Sequence, residues 1–140
     1  MTETNLISVS HAVYQCTYHV QWCTKYRYET LRREKYKNEM DAIIRQVAER
    51  HRIKIVELSV MPEHIHGVIN APMSMSPSRV QQLLKGASSH EFFARHPIFR
   101  KRYPQGHFWG AGKFCRTVGD VDLETTRNYV REQTTLHQWV

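Results

Sequence analysis

The chain has no apolar run approaching the roughly 20 residues that a membrane-spanning helix needs, and no charged-then-apolar signal segment at its start. Both absences predict a cytoplasmic protein. Its three cysteines, Cys16, Cys23 and Cys115, are odd in number and form no C-x-x-C. That argues against a disulfide framework or a thiolate zinc site and predicts reduced thiols. Repeats, low-complexity tracts and long linkers are missing too. The 140 residues therefore read as one domain, 1–140, with a loose polar segment over 1–11. Acidic residues are scarce, 13 against 20 Lys and Arg, for a net charge of +7. A basic balance favours a polyanionic partner, nucleic acid first and an anionic membrane surface second.

Hydrophobic periodicity predicts the elements. Tyr14, Cys16, Tyr18, Val20 and Trp22 alternate with Gln15, Thr17, His19 and Gln21, the pattern of a half-buried strand. Met40, Ile43, Ile44, Val47 and Ala48 recur at helical spacing and predict a helix over 34–51. Strands follow over 53–61, with Val56, Leu58 and Val60 on one face, and over 64–70. Ser76 before Pro77 is a helix start, because serine caps free N–H groups and proline in the first turn loses no hydrogen bond. That helix runs over 77–93, with Val80, Leu83, Leu84 and Ala87 inward. A strand over 107–118 and a last helix over 120–137, capped by Asp120 or Asp122, complete the chain. The order β-α-β-β-α-β-α predicts an α+β, ferredoxin-like (split β-α-β) antiparallel sheet with both crossover helices on one face, plus a C-terminal helix. The opposite face, with His19, Glu57, Ser59, His64 and His66, is expected to stay open.

That face carries the chemistry. His64 and His66 alternate on a strand and so point the same way, about 6.6 Å apart along the backbone. A His-x-His is more often a pair of half-exposed histidines than a ligand pair, so a metal reading needs further donors. Gln133, with an amide oxygen, is a candidate third ligand, and it lies one helical turn from Tyr129. Two nitrogens and an oxygen, with room for water and phosphate, suit Mg²⁺ or Mn²⁺. Glu63, Glu57 and His19 stand as alternative ligands or as partners of the ligands. A phenol is a weak nucleophile at neutral pH, and a metal that polarises the phosphate would help it. Apolar residues are few around Tyr129, only Val121, Leu123, Val130 and Leu136, so its helix is expected to be held weakly by its own sheet. The basic residues fall in two groups, 25–37 with Lys25, Arg27 and Arg33, and 95–102 with Arg100, Lys101 and Arg102 beside aromatics; Lys85 lies between them. Cations beside aromatic rings suit phosphate neutralisation with stacking on unpaired bases.

The stretches Y-H-V-Q-W-C-T-K-Y-R (18–27), M-P-E-H-I-H (61–66), L-K-G-A-S-S (84–89), F-W-G-A-G-K-F-C-R-T-V-G-D-V (108–121) and N-Y-V-R-E-Q (128–133) together resemble the single-tyrosine HUH transposases of the insertion-sequence 200/605 family. The resemblance implies Tyr129 as nucleophile and His64, His66 and Gln133 as ligands of Mg²⁺ or Mn²⁺. It implies single-stranded DNA with subterminal hairpins as substrate, cut and rejoined through a 5′-phosphotyrosine. A homodimer, in which the tyrosine helices act either in cis or in trans, working at a prokaryotic nucleoid without a nucleotide cofactor or a membrane, is also expected. Glu63 stands where the family usually has aspartate, and Gly67 where a larger apolar residue is common. Two competing expectations are a domesticated hairpin-processing HUH endonuclease and a non-catalytic ferredoxin-like nucleic-acid-binding module.

Overall fold

A computed structural model describes residues 8–9, 12–13, 15–119 and 123–138. Most of the segment expected to be loose, and the expected caps Asp120 and Asp122, lie outside the described residues. Two short strands, β1 (Ser8–Val9) and β2 (Ala12–Val13), pair antiparallel. The main body follows as β3 (Gln15–Thr24), α1 (Glu34–Arg50), β4 (Lys54–Val60), β5 (His64–Pro72), α2 (Pro77–Arg95), β6 (Trp109–Thr117) and α3 (Leu123–Gln138). The sheet order is β4-β5-β3-β6 and every neighbouring pair is antiparallel. This is the split β-α-β arrangement expected from the order of elements.

The core forms where the apolar sets meet. Tyr18, Val20 and Trp22 of β3 and Ile65 and Ile69 of β5 lie against Met40, Ile43, Ile44 and Val47 of α1 and Val80, Leu84 and Phe92 of α2. Ser76 caps α2 as expected, its hydroxyl accepting from the Arg79 amide at 3.1 Å. Aromatic rings extend the core under the start of β6, where Phe108 lies within 4.7–5.3 Å of Trp109, Phe92 and Tyr103.

Two expectations need correction. The second sheet face is not open: α3 lies across it, and Leu123 and Val130 are buried with Val68 and Val118, with Val56 packed alongside. Thr17 and His19 are therefore buried about as deeply as their core-facing neighbour Tyr18, and β3 is covered on both sides there. Val56 also does not share a face with Leu58 and Val60. Ile55 pairs with Ile69 and Glu57 with Val68, so Val56 is the extra residue of a β-bulge and turns toward α3. The helix expected to be weakly held thus docks on its own chain's sheet.

Candidate functional site

His64 and His66 are brought to the α3 face by the two-residue period of β5. Their ring centroids are 4.8 Å apart and nearly perpendicular. The Glu63 carboxylate lies 2.7 Å from His64 Nδ1. A carboxylate in that position favours the proton on Nδ1, the usual preparation of an imidazole that ligates through Nε2. Register carries the pattern to the next strand, where Gln21 faces His66 and Cys23 faces His64.

Tyr129 stands over this face. Its ring centroid is 5.8 Å from that of His66 and 5.9 Å from that of His19, edge-on to both. The helix is fixed there by three contacts. Val130 and Leu123 bury their side chains, the Ser59 hydroxyl donates to the Val130 carbonyl at 2.5 Å, and Glu57 receives Arg131 at 3.0 Å with Arg127 at 3.7 Å. Glu57, weighed as a ligand, is thus engaged in holding α3. Tyr129 itself stays 47% exposed, so the ring is positioned yet reachable. Gln133, half-buried, follows one turn later on the same side of α3.

His19 is 6% exposed, and neither ring nitrogen has a hydrogen-bond partner among the described residues. Burial, with the nearby Arg116 charge second, pushes its pKa below the ordinary imidazole value. It stacks on His66 at 5.8 Å and meets Phe114 edge-on at 5.4 Å. Phe114, 45% exposed, was not singled out from sequence; the alternation of β6, which pairs it with Gln21, was the available signal. Among the described residues, no three His, Cys, Asp or Glu side chains are arranged to hold a metal by themselves. Two imidazoles with one of them backed by a carboxylate fit a hard divalent ion only if oxygen donors complete the set, from an amide such as that of Gln133 or from phosphate and water.

The predicted basic residues divide. Lys25, Lys85 and Arg100 come together around a cavity of about 600 Å³ between the end of β3, α2 and the start of β6. Arg102 lies over the Tyr28 ring at 4.5 Å. Arg27, Arg33 and Lys101 are exposed and do not line that cavity. His90 also lines it and was missed; Lys85, Ser89 and Phe93 form one helical row beside it. Among the described residues, Cys16, Cys23 and Cys115 form no disulfide. No helix of the described residues is long and apolar enough to cross a membrane.

Comparison with known proteins gives the following. A family model described as "Transposase IS200 like" matches residues 12–133. The ISDra2 transposase TnpA of Deinococcus radiodurans is 29% identical over 121 residues, covering 86% of each chain. The transposase for insertion sequence element IS200 of Salmonella typhimurium is 29% identical over 126 residues, covering 90% of this chain and 82% of that one. A crystal structure of a Deinococcus radiodurans protein superimposes with a TM-score of 0.72 at 26% identity, covering 91% of this chain and 98% of that one. The structure of a REP-associated tyrosine transposase bound to a REP hairpin gives 0.65 at 16% identity, covering 100% and 76%, a likeness of fold.

Proposed function

Because the chain belongs to the IS200-like transposase family, enzymes that act on DNA, we propose that it cuts and rejoins single-stranded DNA through Tyr129. The observation that carries this reading is the approach of the Tyr129 ring to 5.8 Å from His66, over the sheet face shared with His64. The Tyr129 hydroxyl oxygen attacks a phosphodiester phosphorus. A P–O bond to tyrosine forms, the bond from phosphorus to the 3′-oxygen breaks, and the departing oxygen leaves as a 3′-hydroxyl once it gains a proton. The 5′-phosphotyrosine keeps the energy of the broken phosphodiester. A 3′-hydroxyl of another strand can then reverse the step with no nucleotide cofactor.

His64 and His66 are the proposed nitrogen ligands of Mg²⁺ or Mn²⁺, with Gln133 offering an oxygen. When bound, such an ion would polarise the phosphate and stabilise charge on the leaving oxygen. Glu63 holds the His64 ring in the ligating tautomer. His19 packs edge-on against the Tyr129 ring and Phe114 against His19, so aromatic contacts hold the phenol ring over the histidines. The substrate is taken to be a strand bearing a hairpin; the fold neighbour bound to a REP hairpin accords with this. Two copies are taken to act together at the paired ends of an element, each with its own tyrosine.

The test is incubation with labelled hairpin-bearing single-stranded DNA and Mg²⁺ or Mn²⁺, read on a denaturing gel. The native protein should form a covalent adduct, and Tyr129→Phe should bind the hairpin but form none. An adduct of undiminished yield in that variant removes Tyr129 from the mechanism.

A further inference from the structure

The cavity of about 600 Å³ beside the end of β3 has a composition unlike the rest of the surface. Lys25, Lys85, His90, Arg100 and His107 all face it, and no Asp or Glu is among the described residues that line it. Lys85 Nζ donates to the Gly110 carbonyl at 2.7 Å and Arg100 to the Tyr103 carbonyl at 2.7 Å, so backbone carbonyls help position both side chains. A concave, low-dielectric wall carrying one sign of charge concentrates potential for an anion. Phe93 supplies ring surface beside these donors, with the Arg100 guanidinium 5.9 Å from its ring. The volume falls within the range of small-ligand clefts, about 300–1,000 Å³. It suits one nucleotide and excludes a base pair with two backbones.

The cavity communicates with the catalytic face. Gly110 is shared with a shallower trough of about 270 Å³ that passes Gln21, Cys23 and Gly112 to Phe114. Phe114 meets His19, and His19 meets both His66 and Tyr129. A Cβ on Gly112 would meet nothing within 4 Å, which leaves the trough open above it. The far wall is tied to the same end of the sheet: the Lys25 amide donates to Phe108 at 2.7 Å, and the preceding Thr24 amide donates to Glu63 at 2.8 Å. Tyr26, beside Lys25, holds a left-handed backbone at φ 61° with its ring 53% exposed. Strain of that kind gathers at binding sites.

We propose that this cavity receives one unpaired nucleotide of the strand that lies over His66 and Tyr129, its phosphate on Lys25, Lys85 and Arg100 and its base against the ring surface of Phe93. The inference rests on the reading of the chain as a single-strand DNA enzyme and adds where the strand runs beyond the cut phosphate.

Gly86 provides the test. It lies on α2 at the cavity wall, where an added Cβ would meet nothing within 4 Å. Gly86→Leu therefore starts its side chain in open space at the cavity wall and replaces glycine by a better helix former, so the melting temperature should hold or rise. Fluorescence anisotropy should compare a hairpin carrying a single-stranded extension with the same stem alone. The extended substrate should lose about tenfold more affinity than the stem, the size expected for one lost base stack. Lys85→Met should lower the slope of log affinity against log salt on the extended substrate by about 0.7, one single-strand phosphate contact. Unchanged affinity in both variants, or equal losses on both substrates, overturns the assignment. Binding needs no cleavage: selective loss in Gly86→Leu supports the cavity even if the native protein forms no adduct, and an adduct without selective loss supports only the enzyme.

Discussion

At the scale of single residues, Glu63 and His19 do different work on the same pair of imidazoles. Glu63 acts on Nδ1 of His64, at 2.7 Å. Loss of such a partner typically weakens metal binding about 10–100-fold. Glu63→Ala should therefore bind Mn²⁺ that much more weakly in a calorimetric titration, with little change in melting temperature without metal. Equal Mn²⁺ affinity in both proteins would detach Glu63 from any ligand role. His19 is legible in the titration of stability. Its folded pKa lies below the ordinary value of 6.5, from burial first and Arg116 second. Protonation then favours the unfolded chain, so the stability due to neutral His19 is complete above about pH 6.5 and is lost as pH falls through the depressed value. Melting temperatures from pH 8 to pH 5 should fall less in His19→Phe than in the native protein. Identical profiles would mean that His19 is not buried as a neutral ring.

Among the elements, α3 is where sequence and structure part. Periodicity marked α1, α2 and β3, because each presents an apolar set of its own with the right spacing. Ser76-Pro77 marked the start of α2 by chemistry that needs no tertiary partner. The docking of α3 had no such local mark. Its buried row is Leu123, Thr126 and Val130, and the threonine in the middle does not count as apolar in a pattern. Its partners come from elsewhere: Val68, Val118, and Val56 turned over by a bulge that alternation cannot anticipate. The histidine pair and its tyrosine were legible as residue types at strand and helix spacing, whereas Phe114 became visible only once register set β6 beside β3. The ion pairs to Glu57 are the polar part of this docking. Surface pairs contribute roughly 0–1 kcal/mol each, so Glu57→Ala should leave global stability nearly intact. Hydrogen exchange should still find the α3 amides opening faster while those of β3 and β5 keep their protection. Uniform acceleration across the sheet would show that Glu57 supports the whole fold instead.

The whole molecule poses the question of which chain's tyrosine serves which chain's histidines. Here Tyr129 faces His66 of its own sheet. Moving α3 to a partner would break the Val130, Leu123 and Glu57 contacts and re-form the same ones on the other copy, so the tether decides between the two arrangements. Val118 is buried and its amide donates to Thr17 at 2.9 Å, which pins the chain just before the helix. Only residues 119–122 remain between that anchor and Leu123, and the five residue steps from Val118 to Leu123 reach at most roughly 17 Å. A swap across two whole domains needs Val118 released as well. We therefore expect no complementation when Tyr129→Phe and His64→Ala chains are unfolded together, refolded as a mixture and given hairpin DNA. Each site in such a pair lacks either the phenol or one imidazole, and the denaturing gel should show no adduct above that of either variant alone. An adduct rising toward about a quarter of the native yield, the share expected for one competent site per statistically formed mixed dimer, would mean that the helix leaves its own sheet, and that the Val118 anchor is weaker than its burial implies.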